Sequence, residues 1–447
     1  MVNSSLATVK AEKMDINMTR RAALVGLNLG RSSAKFEKSM NEMAALAEAA
    51  GLEIAAVFTQ SLPHANTGYY IGSGKIAEVR AYLDMTGTDL VLFDNQLTPM
   101  QLRNLSNSFH CEVLDRTALI LKIFAERART REAALQVDYA RLQYLLPRLA
   151  GMHDDLGRQA GASGAMSNKG AGEKKIELDR RHIEQQMAAL RRDLEEVDRE
   201  RATQRKARMR SGLPRVSLVG YTNAGKSTIL NGLLSLYGSD DEKQVFEKDM
   251  LFATLDTSIR RIEPGEGCKP FLLSDTVGFI DNLPTTLVKA FRSTLEETKY
   301  ADLLLIVSDL SDPDYRDNLA VTIRTLEDIG AGGIPRIFIF NKADRLEEEK
   351  SSRVSIPILT EEDGRITMSA KSEADLALLV KTIEEKINEN RRECTLLIPY
   401  AEGALLSRLK KDADMQVLNY LEDGTLVKAV LKEEDYGKLR GYFHSES

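Results

Sequence analysis

Residues 213–228, LPRVSLVGYTNAGKST, constrain the fold more than any other stretch of the chain. The apolar run from Val216 to Val219 predicts a buried strand, and the pattern G-x-x-x-x-G-K-[ST] follows it. Glycines there let the backbone approach phosphate oxygens, and the next helix directs its first N–H groups at the same anion. The stretch predicts a phosphate-binding loop rather than a chance glycine-containing turn. The expected phosphate contacts are Gly220, Tyr221, Thr222, Asn223, Ala224, Gly225, Lys226, Ser227 and Thr228.

A second strand end carries an acidic residue suited to the same chemistry. The run 271–274 leads into the tetrapeptide Asp275, Thr276, Val277 and Gly278. We expect Asp275 to hold Mg²⁺ through water and Gly278 to bring its N–H to the γ-phosphate. Lys226 would reach the β/γ-phosphates, and the Ser227 hydroxyl would ligate the Mg²⁺. Together these residues predict a nucleoside triphosphate site.

Two further strand ends carry side chains that suit guanine. The strand 337–340 leads into Asn341, Lys342, Ala343 and Asp344. The Asp344 carboxylate can accept from the ring N–H and the exocyclic amine of guanine, a pair that adenine does not offer. Asn341 can reach the base edge, and the stem of Lys342 can lie over the ring. One backbone N–H of the segment Ser369, Ala370 and Lys371 would donate to the guanine O6. These motifs predict a GTP-binding domain.

A threonine is needed between the two phosphate motifs, where a switch segment orders around the γ-phosphate and its Mg²⁺. Thr254 is our choice for this ligand, and Thr257 is the competing candidate. These motifs predict Lys226, Thr254 and Gly278 as catalytic residues.

Composition excludes several other classes of protein. The 447 residues suffice for about three domains, and 43% hydrophobic with 29% charged residues is typical of globular proteins. The net charge of −6 gives no general indication of nucleic-acid binding. The three cysteines are far apart and suggest a reducing compartment. With no signal-like N-terminus and no apolar run of membrane length, we expect a cytoplasmic protein.

The predicted organisation has five parts. Residues 1–20 form a flexible tail, and strands alternating with helices over 21–117 predict a small parallel α/β domain. Residues 118–212 predict a long antiparallel helical hairpin with a Gly-rich tip loop. The GTPase domain spans 213–390, and 391–447 form a small α+β domain with a hairpin near residues 422–424. The overall class is α/β.

Two details of the N-terminal domain have open or structural interpretations. Gly72-Ser73-Gly74-Lys75 predicts a turn and a helix start, with an anion site as the alternative. Asp115 is expected to cap the following helix, and Arg116 to pin that helix to the domain.

The predicted hairpin consists of one helix over 118–149, a Gly-, Ala- and Ser-rich breaker over 157–172, and a second helix over 173–210. Its arginines fit either a solvated helical face paired with acids or an RNA-contacting surface. Arg158 and Lys169 lie in the predicted tip loop and favour a contact with phosphates in RNA. The arginines are Arg127, Arg129, Arg131, Arg180, Arg181, Arg191, Arg192, Arg199, Arg201, Arg205, Arg208 and Arg210.

Several pieces outside the general GTPase motifs resemble the HflX family of ribosome-associated GTPases. They are YIGSGK at 70–75, FDNQL at 93–97, DRT at 115–117, IFAERARTRE at 123–132, LDRR at 178–181 and DTVGFI at 275–280. One departure is SNKGAGE at 167–173, where Ala171 stands at a position that is usually proline in the family.

The resemblance implies binding to the large ribosomal subunit and the splitting of stalled or idle ribosomes, notably under stress. We expect the protein to be a monomer. Asn223 also resembles the asparagine of potassium-activated GTPases. This resemblance implies K⁺ near the β/γ bridge and adds Asn223 to the predicted catalytic residues; a loop-shaping role is the alternative. Competing functions are GTP-dependent RNA or ribosome maturation, a nucleotide-gated adaptor, and ATP binding at residues 72–75.

Overall fold

The computed structural model of the chain describes residues 20–149, 167–210, 212–238, 258–265, 269–276, 278–279, 297–346, 364–389, 391–412 and 414–444. The chain divides into two units, one of residues 1–126 and 137–188, the other of 127–136 and 189–447. In the described part of the chain, no helix is long and apolar enough to cross a membrane.

The first unit is built on a four-stranded parallel sheet of order β2-β1-β3-β4. The prediction of a small parallel α/β domain is therefore confirmed. Val91, Leu92 and Phe93 are fully buried, as expected of a strand covered on both faces. The elements are β1 Arg20–Asn28, α1 Ser33–Ala49, β2 Leu52–Ser61, α2 Ser73–Thr86, β3 Leu90–Phe93, α3 Pro99–Phe109 and β4 Glu112–Asp115.

Helix α3 has side-chain caps at its start, whereas α2 begins at a glycine with none. Thr98 and Gln101 form a capping box at the start of α3, and Pro99 occupies its first turn. At α2 the N-cap is Gly72, and the Lys75 ammonium pairs with Glu78 at 2.6 Å. The segment 72–75 is thus the predicted turn and helix start.

A buried polar cluster joins the end of β4 to the helices that follow. The Asp115 carboxylate accepts from the Ala118 N–H at 2.8 Å, which confirms the predicted cap. It also accepts from the Tyr144 hydroxyl at 2.9 Å and from Arg148 at 3.3 Å. Arg116 is buried and pairs with Asp94 at 3.0 Å and with Glu42, so the predicted pin is confirmed too.

The helical region differs from the prediction of one continuous helix over 118–149. It contains α4 Arg116–Arg127 and α5 Arg131–Leu145, followed by a 3₁₀ turn at Leu146–Arg148. The break has no glycine or proline. Instead Thr130 starts a new helix, because its hydroxyl accepts from the Ala133 N–H at 3.1 Å.

The next helix, α6 Ser167–Arg210, begins earlier than predicted. Residues 167–172, assigned from sequence to the flexible tip loop, form its first turns. Helix propagation from the long Ala-, Glu- and Arg-rich stretch outweighs the low propensity of the two glycines. In the second unit Glu132 pairs with Arg201 at 2.6 Å, and Arg131 lies 3.7 Å from Glu196. The rest of the predicted tip loop, 157–166, lies outside the described residues.

The second unit contains a six-stranded sheet of order β10-β9-β8-β5-β7-β6, parallel except for β6. Its central strands are continuous apolar runs, with Phe338 and Phe340 in the core. The elements are β5 Arg215–Gly220, α7 Lys226–Tyr237, β6 Ser258–Ile262, β7 Phe271–Asp275, β8 Leu303–Asp309, α8 Tyr315–Asp328, β9 Arg336–Asn341, β10 Gly364–Thr367 and α9 Glu373–Asn388.

A three-stranded antiparallel sheet of order β11-β13-β12 follows. The predicted hairpin near residues 422–424 joins β12 to β13, so the small α+β region is confirmed. Leu396, Val427 and Leu431 lie in its core. The elements are β11 Arg391–Ile398, α10 Gly403–Asp412, β12 Asp414–Leu421, β13 Gly424–Lys432 and α11 Glu433–Lys438.

Candidate functional site

The phosphate motif forms the predicted loop between β5 and α7. Gly225 precedes the helix with a φ of 94°, and no side chain caps the first turn. A Cβ on Gly225 would overlap the Asn341 amide, so this position requires glycine for both its conformation and its surroundings. Such a helix start is suited to binding an anion, because the first N–H groups of a helix have no partner within the helix itself.

Lys226 is enclosed by this loop. Its ammonium donates to the backbone oxygens of Gly220 at 3.1 Å and Tyr221 at 2.9 Å, and the residue is 6% exposed. Burial lowers the pKa of Lys226 to about 8, and the nearby charge of Asp275 acts in the opposite direction. A polyphosphate would replace backbone carbonyls with formal negative charge and favour the protonated form.

The metal ligands proposed from sequence are adjacent. The Ser227 hydroxyl donates to the fully buried Asp275 carboxylate at 2.7 Å. The hydroxyl and the carboxylate, together with the oxygens of a bound nucleotide's phosphates, would form the all-oxygen ligand set that Mg²⁺ prefers. These residues therefore fit Mg²⁺. Thr276 is also buried, but its hydroxyl donates to the Leu218 carbonyl at 2.8 Å and serves to hold β7 against β5.

The segment after Asp275 lies directly against the phosphate loop. Phe279 donates its N–H to the Gly220 carbonyl at 3.0 Å and accepts from the Thr222 N–H at 2.7 Å. A Cβ on Gly278 would lie 2.8 Å from the Thr222 Cα, so only glycine fits. Gly278 is thus held beside Thr222 and Lys226.

The residues expected to recognise a base converge on one side of the loop. Asn341 donates to the Ala224 carbonyl at 2.9 Å and accepts from the Ala370 N–H at 2.9 Å. Its side chain therefore connects the phosphate loop to the Ser369–Lys371 segment, beyond the base contact expected from sequence. Lys342 has a φ of 62° and pairs with Asp309 at 2.8 Å, a partner that sequence reasoning missed.

Asp344 is the exposed acid of this group. Its carboxylate accepts from the Ser369 hydroxyl at 2.8 Å, and Lys371 lies 3.8 Å away. The Ser369 hydrogen bond lowers the pKa of Asp344, with smaller contributions from its own backbone and from Lys371. The carboxylate is thus ionised and able to accept two hydrogen bonds from a base.

Other site predictions fall where the structure gives no side chain. Thr254, its competitor Thr257, Val277 and Arg158 lie outside the described residues. Lys169 lies in the first turns of α6, a part of the helix whose side chains are not described.

Asn223 has a φ of 60° and an exposed side chain at the loop tip.

The site defines a class of protein. Three parts of the site meet at one edge of the six-stranded sheet. They are the phosphate loop, the acid Asp275 beside the Ser227 hydroxyl, and the segment Asn341–Asp344, whose sequence is typical of guanine binding. The molecule is a P-loop GTPase.

Comparisons with known proteins give the family. Residues 37–125 match the model described as GTP-binding GTPase N-terminal, 127–208 the GTP-binding GTPase Middle Region, and 215–342 the 50S ribosome-binding GTPase. The GTPase HflX of Caldanaerobacter subterraneus subsp. tengcongensis is 40% identical over 425 residues, which cover 95% of this chain and 94% of that protein. The GTPase HflX of Escherichia coli is 38% identical over 393 residues, covering 87% of this chain and 88% of that protein.

The chain belongs to the GTPase HflX family. It binds GTP and GDP, and its reaction is the hydrolysis of GTP to GDP and phosphate.

Proposed function

We propose that this GTPase binds the large ribosomal subunit and splits or remodels stalled or idle ribosomes, notably under stress. The observation that carries the proposal is the joint match of residues 127–208 to the family's middle region and of 215–342 to a model described as a 50S ribosome-binding GTPase. Because its proposed target is the ribosome, we propose that the protein acts in the cytoplasm, and that it acts as a monomer.

The geometry suggests how the nucleotide is held. When bound, Mg²⁺ would supply positive charge that offsets the negative charge developing on the phosphates. Ser227 would hold this ion directly and Asp275 through water, with Thr254 as the switch ligand. Lys226 would exchange its two carbonyl partners for phosphate oxygens, and Gly278 would offer its N–H to the γ-phosphate. Asp344, with Asn341 and the Ser369–Lys371 segment, would select guanine.

At one position of the site, the side chain cannot orient the attacking water. Phe279 follows Gly278, where many GTPases place a glutamine, and a phenyl ring neither donates nor accepts a hydrogen bond usefully. We propose that hydrolysis by the protein alone is slow, and that K⁺ beside Asn223 supplies part of the missing charge stabilisation.

Hydrolysis rates in KCl and in NaCl, with and without ribosomes, test this part. We expect faster turnover in KCl and a further increase with ribosomes. Asn223→Ala should remove the difference between the two salts. Fast turnover in NaCl without ribosomes would contradict both the K⁺ site and the need for ribosomes.

Sedimentation tests the ribosome proposal as a whole. The protein is mixed with mature ribosomes in GTP, in GDP and in a non-hydrolysable GTP analogue, and the bound fraction and the separated subunits are measured. We expect retention on the large subunit and separation of subunits with GTP or its analogue, and weaker retention with GDP. Association with precursor particles alone would favour a maturation factor, and RNase-insensitive capture by a protein would favour an adaptor.

A further inference from the structure

The Ser369–Lys371 segment is held by more than the guanine motif itself. The Ala370 N–H donates to Asn341, and the Ser369 hydroxyl donates to Asp344. A third hydrogen bond comes from outside both motifs: the Ser369 N–H donates to the Asp375 carboxylate at 2.8 Å. The segment is therefore attached at its backbone to the helix that follows it.

Asp375 lies in the first turn of α9. Ser372 is the N-cap of this helix, and its hydroxyl accepts from the Asp375 N–H at 3.3 Å. In a capping box, an acid or amide at this position would return to the N-cap N–H. Here the carboxylate reaches three residues further back, to Ser369. The helix end and the base-binding segment are thereby coupled through one side chain.

We propose that Asp375 is a positioning residue for guanine recognition. By accepting from the Ser369 N–H, its carboxylate fixes the backbone direction at the start of the segment. The Ala370 N–H, now bonded to Asn341, and the Lys371 N–H, now bonded to the Ser369 hydroxyl, are thereby placed to turn to the O6 of the base. The same bond keeps the Ser369 hydroxyl directed at Asp344. The inference rests on the proposed assignment of this segment to the O6 edge.

A charge-assisted bond to a backbone N–H is stronger than a neutral one, which makes Asp375 an effective anchor. Glu373 shares its turn, is exposed, and is the other acid in the first turn of α9. If Asp375 acted only by stabilising the positive end of α9, Glu373 would serve equally well. The bond to Ser369 is what separates the two roles.

Two diphosphates that differ at O6 provide the test. GDP carries the O6 oxygen, and 6-thioguanosine diphosphate, the O6-free nucleotide, keeps the ring N–H and the exocyclic amine but has sulfur, a weaker acceptor, at this position. We expect the unmodified protein to bind GDP about tenfold more tightly or better, because an unmet hydrogen-bonding site is costly. Asp375→Ala should weaken GDP binding about threefold to tenfold and leave binding of the O6-free nucleotide nearly unchanged.

Three variants complete the experiment. Asp375→Asn keeps an oxygen acceptor and should restore most of the preference for GDP. Glu373→Ala and Ser372→Ala alter the same helix end without touching the Ser369 N–H, and the preference should persist in both. If Asp375→Ala weakens both nucleotides equally, or neither, the positioning role is wrong. If the unmodified protein does not distinguish the two nucleotides, the assignment of the O6 site itself fails.

Discussion

Asp344 is the residue on which base selection depends in the proposed site. Its ionised carboxylate accepts from guanine, whereas xanthine presents an oxygen where guanine has its amine. Asp344→Asn places an amide that can donate to that oxygen. We expect GTP affinity to fall by about tenfold or more and xanthosine triphosphate to become the preferred ligand.

Nucleotide binding by titration calorimetry measures this exchange. Asp317→Asn, an exposed acid-to-amide change in the first turn of α8, is the matched control and should leave GTP affinity unchanged. Unaltered GTP binding by Asp344→Asn would show that another group reads the base.

Lys226 predicts a pH dependence of binding. Without nucleotide its pKa is about 8, so above pH 8 the side chain is mainly neutral. A bound polyphosphate raises the pKa of Lys226, and binding must then take up a proton. We expect an uptake of about half a proton or more per GDP at pH 8.5, little uptake at pH 7, and an affinity that falls as the pH rises.

Proton uptake is measured from binding enthalpies in buffers that differ in ionisation enthalpy. The enthalpies should diverge between buffers at pH 8.5 and agree at pH 7. Equal enthalpies at both values would mean that Lys226 is fully protonated before GDP arrives.

At the scale of elements, Asp115 connects β4 to the turn after α5. It is fully buried and accepts from four donors, including the buried Arg148 guanidinium. Asp115→Ala leaves that charge without its carboxylate. We expect a loss of about 3–5 kcal/mol in the free energy of unfolding of this unit.

Thermal unfolding followed by helical circular dichroism measures the loss. Glu112→Ala removes an exposed acid of the same strand, which pairs with Arg20, and should cost less than about 1 kcal/mol. GDP binding, whose proposed contacts lie in residues 220–371, is the control for native folding. A similar small effect of both substitutions would contradict the anchoring role of Asp115.

At the scale of the whole molecule, we propose a division of roles. The GTPase domain binds the nucleotide and controls affinity for the ribosome, whereas the helical hairpin contacts ribosomal RNA. Helix α6 has 44 residues and is about 66 Å long at 1.5 Å per residue. Residues 157–172 precede or begin this helix, and we propose that Arg158 and Lys169 contact ribosomal RNA there. Replacing 157–172 with a short Gly-Ser connector should leave GTP binding near normal and weaken or abolish subunit separation.

GTP binding, subunit binding and subunit separation are assayed in parallel on this variant. A replacement of equal length that keeps only Arg158 and Lys169 separates the role of charge from that of length. If separation survives the short connector, the segment is only a connector, and the arginines of the helices become the candidates for RNA contact.

The sequence alone determined the class of fold and the chemistry of the nucleotide site. Gly225 and Lys226 follow β5, Asp275 ends β7 and Asp344 follows β9, and parallel strands bring the segments after their ends to one edge of a sheet. Their assembly follows from local motifs and hydrophobic pattern. Helix boundaries such as Pro99–Phe109 were predictable for the same reason, because caps and breakers are local.

Only the tertiary structure decided which polar groups meet across distance. The pairing of Lys342 with Asp309 and of Asp115 with Arg148, each 33 residues apart, depends on how loops close on the sheet, which no local pattern records. The helix break at Thr130 was also not evident from the sequence. A threonine cap contributes less free energy than tertiary contacts do, so the threonine alone did not predict a break. Local interactions determine the elements and their order, while side chains far apart in sequence set the geometry of the site.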